Sequence, residues 1–275
     1  MVSGRAFFAE PWRLLTTALP HADPIHLLFN LYWLWIFGTF IEERLGSLPL
    51  LGLVLVLGAT SSAAEFAAGS VGIGLSGIGF GLCALLYVAE RRDPRFAGAL
   101  PARTVSTFVA WFFLCLLLTR AGIWKVANVA HGAGALLGAA FGLMLARPRA
   151  AAAAPLRLLA GTLGAALFAF SLIAATTLRP WFNLSKEAGL EEGQLGYAAL
   201  SEGRNAEAVR LLEHAVRLSP QEPTLFFNLA IGYSRTQRPV EAARAFAQAR
   251  RLNPNDSRYV AAEAAFALPA ASANQ

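Results

Sequence analysis

Four polar residues stand inside, or at the mouth of, otherwise apolar stretches of this 275-residue chain: His26, Asn30, Ser76 and His131. Serine is a weak nucleophile until a positioned base takes its proton, and histidine suits that task near neutral pH. His26 and Asn30 are four residues apart, so a helix projects both from one face. Ser76 opens its segment in Gly74-Leu75-Ser76-Gly77, and His131 stands near the start of another in Ala130-His131-Gly132-Ala133-Gly134. The chemistry open to such a set is acyl transfer, with Ser76 attacking a carbonyl and His131 moving the proton. Donors must then meet the developing oxyanion. The Ser76 backbone N–H at a helix N-terminus is one, and the side chains of Asn30 and His26 supply others. Asp23 and Glu65 lie only at the borders of apolar segments, so a Ser-His dyad is expected rather than a triad.

Blander roles exist for each residue taken singly. A lone Ser before an apolar run is a helix cap, and a lone intramembrane His bridges helices. His21, His26 and His131 lack the carboxylate or thiolate that usually completes a metal site, so no metal and no cofactor are expected. Cys83 and Cys115 fall inside apolar runs and read as packing residues. Glu42, Glu43 and Arg44 read as a solvated turn, and His214 as a surface residue of a later helix.

The elements that must position this set are membrane spans. The chain is 56% hydrophobic and 15% charged, against roughly 25% charged in ordinary soluble domains, and its mean hydropathy is +0.50. Apolar segments at 26–41, 48–68, 76–90, 104–119, 127–146 and 156–178 qualify, or nearly qualify, as spanning helices. The third, from Ser76 to Glu90, is only roughly 22 Å long at 1.5 Å per residue. A hydrocarbon core is about 30 Å thick, so Ser76 is expected below the surface, with 69–75 lining a water-filled cavity. Gly77 and Gly81 share one face of that segment; Gly134, Gly138 and Gly142 share one face of the fifth, with His131 on it. Small faces allow close helix approach, and that contact brings His131 to Ser76.

Charge gives orientation. The net charge of +6 lies wholly in residues 1–182. Loops 42–47, 91–103 and 147–157 are richer in Arg than those on the other side, which places them in the cytoplasm. The site residues, and by the same count residues 180–275, then face the extracytoplasmic side. Basic loops beside a bilayer account for the charge, so no nucleic-acid partner is expected. Met1–Pro24, with Phe7, Phe8 and Trp12, reads as an interfacial stretch without the apolar run of a secretory signal.

After Trp181 the composition becomes that of a soluble helical domain. Glu202–Pro220 aligns with Thr236–Pro254 at an offset of 34 residues, the tetratricopeptide period. Phe226, Leu229, Tyr233, Ala242, Phe246, Ala249 and Pro254 match the repeat pattern; Leu195, Gly196, Ala208, Leu212, Ala215 and Pro220 match it less fully. A capping helix is expected over 256–267, and the groove of such repeats suits a peptide or protein ligand. The organisation read from the chain is a membrane core at 1–150, a further span and linker at 151–182, two repeats with a capping helix at 183–268, and a disordered tail at 269–275. The fold class is all-α, a polytopic helix bundle followed by a helical repeat domain.

One family unites these residues. Trp12-Arg13, His21, His26-Leu-Leu-Phe-Asn30, Gly38, Glu42-Glu43-Arg44-Leu-Gly46-Ser47, Gly74-Leu-Ser76-Gly77 with Phe80-Gly81, and Ala130-His131 with Gly134 and Gly138 resemble the rhomboid intramembrane serine proteases in order and approximate spacing. The resemblance spans roughly residues 10–146. It implies Ser76 as nucleophile, His131 as general base, His26, Asn30 and Ser76 at the oxyanion, and Phe80 against the imidazole. Gly74, Gly77, Gly134 and Gly138 would pack the site. It implies membrane-anchored protein substrates cut in or near a spanning helix, and a bacterial inner (plasma) membrane. Family members of this type carry a further span before the Trp-Arg loop, and this chain begins within that loop, so either the true start lies upstream or the bundle lacks its first span. The rival reading is a catalytically silent protein of the same fold that binds transmembrane clients and recruits partners through its repeats.

Overall fold

The computed structural model describes residues 10–69, 72–145, 154–179 and 188–266. They form twelve α-helices and one short 3₁₀ turn, with no strand among them. Two compact units result, 10–179 and 188–266. Phe7, Phe8, Trp181, most of the loop at 147–157 and the tail at 269–275 lie outside the described residues.

A short helix α1 (Arg13–Thr16) leads into the bundle, formed by α2 (Pro24–Leu45), α3 (Ser47–Ala68), α4 (Ser76–Glu90), α5 (Ala102–Arg120), α6 (Asn128–Leu145) and α7 (Ala154–Thr176). All but α4 are long and apolar enough to cross a membrane, and α4 has 15 residues. The chain is an integral multi-pass membrane protein. Trp35, Leu48, Leu117 and Leu158 are exposed on the outside of the bundle, where lipid rather than water is the solvent.

Helix α2 exceeds the length expected from its apolar run at 26–41. Helix α2 starts at Pro24 because Asp23 accepts a hydrogen bond from the His26 N–H at 2.9 Å and Pro suits the first helical position. It runs on through Glu42, Glu43 and Arg44, which therefore form its last helical turn, with Glu42 and Glu43 still exposed. The reason is tertiary. The Arg44 Nε–H donates to the Arg95 carbonyl at 2.7 Å, and the Ser47 hydroxyl donates to Glu42 at 2.6 Å. Arg95 in turn forks onto the buried Asp93 and donates to the Leu145 carbonyl at 3.0 Å, tying this end of α6 to the same loop.

The core centres on α4, whose Leu82, Leu85, Leu86 and Ala89 are fully buried among Phe37, Ile41, Leu57 and Leu137. Helix α6 lies directly against it. A Cβ placed on Gly134 would strike the Gly77 carbonyl, and one on Gly138 the Gly81 carbonyl, so the two backbones touch. Helix α7 lays Ala160, Gly164, Ser171, Ala174 and Ala175 onto α3 and α6, and beyond its end the Arg179 guanidinium sits 3.7 Å above the Phe66 ring.

The second unit comprises α8 (Ala188–Ser201), α9 (Asn205–Leu218), α10 (Pro223–Arg235), α11 (Pro239–Leu252) and α12 (Ser257–Phe266). Successive antiparallel pairs approach over Ala208, Ala215, Ala242 and Ala249, all buried. Helix α12 covers the far end: Tyr259 is fully buried against Phe227, and Phe266 stacks on Phe246 with ring centroids 4.7 Å apart. His214 is only 35% exposed, and its Nδ1 lies 4.0 Å from a Glu192 carboxylate oxygen. Burial pushes the Glu192 carboxyl above its ordinary range, with His214 opposing the shift.

Candidate active site

Ser76 is the first residue of α4, and the loop before it is held on two sides. The Gly74 N–H donates to the Thr17 carbonyl at 3.2 Å, and Thr17 also reaches the Ser62 hydroxyl at 3.2 Å. Gly74 has φ +97°, a left-handed conformation that side chains resist, and a Cβ there would lie 2.9 Å from His26. The loop can therefore lie directly against α2, which presents His26 and, one turn on, Asn30.

His131 is in the first turn of α6 and is 2% exposed. Its Nε2 lies 2.8 Å from the Ser76 Oγ, across 55 residues of sequence. Phe80, one turn along α4 from Ser76, stacks on the imidazole with ring centroids 4.5 Å apart and planes at 27°. Among the described residues the His131 Nδ1 has no hydrogen-bond partner, so no carboxylate stands behind the ring. With Nε2 unprotonated, the imidazole can accept the Ser76 proton. That arrangement is the geometry of a base beside a nucleophile.

Asn30 is 6% exposed and its Nδ2 is buried without a partner among the described residues. An unspent buried donor is costly. This one lies 3.3 Å from where a Gly74 Cβ would be, on the same side of the loop as His26. His21 meets His26 edge-on with ring centroids 5.0 Å apart, and its Nδ1–H donates to the Leu19 carbonyl at 2.8 Å. No cluster of three or more metal-ligating side chains occurs among the described residues.

A model of the rhomboid domain matches residues 9–148, about half of the chain. This chain belongs to the rhomboid family. A tetratricopeptide repeat model matches residues 199–266. Rhomboid protease GlpG of Yersinia pseudotuberculosis serotype I is 31% identical over 137 residues, covering 48% of this chain and 47% of the relative. Rhomboid protease GlpG of an Enterobacter species (strain 638) is 32% identical over 139 residues, 50% and 49% of the two chains. That of Haemophilus influenzae is 28% identical over 137 residues, 50% of this chain and 70% of the relative. The chain thus spans about half the length of the first two curated relatives.

This rhomboid also carries a residue that sequence reasoning set aside. Glu65, read as a border residue of its span, is 4% exposed, and its Oε2 accepts a hydrogen bond from the Ala130 N–H at 2.9 Å. Together with Ser61, Ser62, Gly72, Ser76 and Ala130 it lines a cavity of about 20 Å³ that reaches Ser76. The only signal in the sequence was an acidic residue breaking the apolar run of 48–68.

Proposed function

We propose that this rhomboid is an intramembrane serine endopeptidase that cuts membrane-anchored proteins in or near their spanning segments. Ser76 is the nucleophile and His131 the general base. The Ser76 Oγ attacks the scissile carbonyl carbon as its proton passes to His131 Nε2. The tetrahedral oxyanion is met by the Ser76 N–H, Asn30 Nδ2 and His26, donors aimed at charge that exists only in the transition state. The protonated His131 then gives its proton to the leaving amine. Water repeats the sequence on the acyl-enzyme, freeing the carboxylate and restoring Ser76. No cofactor enters this scheme. Gly74, Gly77, Gly134 and Gly138 keep the loop and the helices close enough for it, and Phe80 fixes the plane of the ring.

The observation that carries this reading is the 2.8 Å separation of His131 Nε2 and Ser76 Oγ, with Phe80 stacked on the ring behind it. The bacterial relatives favour a bacterial inner membrane. The repeats at 183–268 would bind a peptide or protein ligand on the extracytoplasmic side, beyond the core at 1–150 and the added span at 151–182. The test is cleavage of a model single-span substrate by the chain in proteoliposomes, beside Ser76→Ala and His131→Ala. Cleavage by the parent and by neither variant is expected. A parent that binds the substrate without cutting it would instead make this a client-binding member of the family.

A further inference from the structure

We infer that Glu65 is a positioning residue for His131, acting through the backbone of α6. A buried carboxylate inside a membrane bundle must be hydrogen-bonded to be tolerated, and this one is engaged where α3 meets the first turn of α6. It reaches across 65 residues of sequence to the N–H of Ala130, the residue before His131. The first N–H groups of a helix have no partner within it, and an anion is favoured there. Glu65 supplies an acceptor to α6 in the turn that carries the base. The same side chain touches the approach to the nucleophile, since a Cβ on Gly72 would lie 3.1 Å from Glu65 Cγ and 2.9 Å from Ala127 Cβ. The Glu65 side chain thereby packs beside the loop that enters Ser76 while its carboxyl oxygen accepts from the helix end that presents His131. The imidazole lacks a partner at Nδ1 among the described residues, so its placement depends on Phe80 and on this backbone anchor. Glu65 touches neither reacting atom. Its effect is on geometry.

The inference rests on the protease reading, and the experiment separates the two. Cleavage kinetics in proteoliposomes are normalised to intact sites, counted by fluorophosphonate labelling of Ser76, for the parent, Glu65→Gln, Glu65→Asp and Glu65→Ala. Glu65→Gln retains an acceptor oxygen at the same reach and is expected to keep kcat within about threefold. Glu65→Asp draws the acceptor back by one methylene, and Glu65→Ala removes it. Both are expected to lose about tenfold to a hundredfold in kcat at unchanged KM, the usual cost of a catalytic group misplaced by an ångström. If Glu65→Ala fails to fold, Glu65→Asp carries the test. Amide exchange of the segment 128–131 should quicken in Asp and Ala and not in Gln. Parent-like kcat per intact site in Glu65→Asp overturns the inference, as does a Glu65→Gln loss equal to that of Glu65→Ala. A parent that cleaves nothing overturns the protease reading, and this inference with it.

Discussion

Phe80 lies nearly flat on the imidazole of His131, with ring centroids 4.5 Å apart, while the ring's Nε2 points at Ser76. The imidazole is thus held on one face by an aromatic plate and at one edge by the Ser76 hydroxyl. Phe80 is itself wedged against Phe108 and Phe112, so the plate is anchored from the far side of the bundle.

Replacing Phe80 with Leu keeps the site apolar and removes the flat surface. The expected result is a fall in kcat of about tenfold to a hundredfold, with KM little changed. Steady-state cleavage in proteoliposomes checks it, and a circular dichroism melt confirms that the bundle remains folded.

Asn30→Ala removes a buried donor without filling its space. Loss of one oxyanion donor costs about a hundredfold to a thousandfold in kcat. Because the Asn30 Nδ2 has no partner among the described residues, stability should change far less than rate. A loss of folded protein that matched the loss of activity would contradict this.

The glycines of α6 divide into two kinds. Gly138→Ala drives a methyl group into the Gly81 carbonyl, whereas a Cβ at Gly132 meets nothing within 4 Å. The first change should lower the melting temperature sharply and abolish cleavage. The second should be neutral, or stabilising by about 0.5–1 kcal/mol, since alanine restricts the unfolded chain. Comparative thermal melts in one detergent decide between them.

In the repeat unit, burial raises the Glu192 carboxyl above its ordinary 4.5. The protonated form is favoured in the folded state, so its contribution is fully present below pH 4.5 and is lost as pH rises through the folded value. Glu192→Gln should therefore stabilise α8 and α9 at pH 7, with the advantage shrinking as pH falls through the raised folded value and gone below pH 4.5. Hydrogen exchange of those two helices at both pH values reads this directly.

Much of this arrangement was legible in the chain because polar residues are rare in apolar spans. His26, Asn30, Ser76 and His131 stood out for that reason, and the glycine faces already announced that the helices of Ser76 and His131 must touch. The helix ends were less legible. Glu42 to Arg44 look like a solvated turn until Arg95, 51 residues further on, offers Arg44 its carbonyl. Glu65 was missed for a related reason. An acid near the end of a span reads as a border residue, and only the packing of α6 across it shows the Ala130 N–H that it serves. In both cases the deciding partner is distant in sequence and belongs to the backbone, which leaves no trace in residue type.

The contact between α4 and α6 is made by peptide groups, Gly134 and Gly138 against the carbonyls of Gly77 and Gly81. A gap set by side chains drifts whenever a rotamer hops or a neighbour mutates; a gap set by main chain does not. The spacing between Ser76 and His131 is accordingly a fixed ruler. The lipid-facing surface can then diversify, and the bilayer around it can thicken or thin, while the distance between the two side chains stays the same.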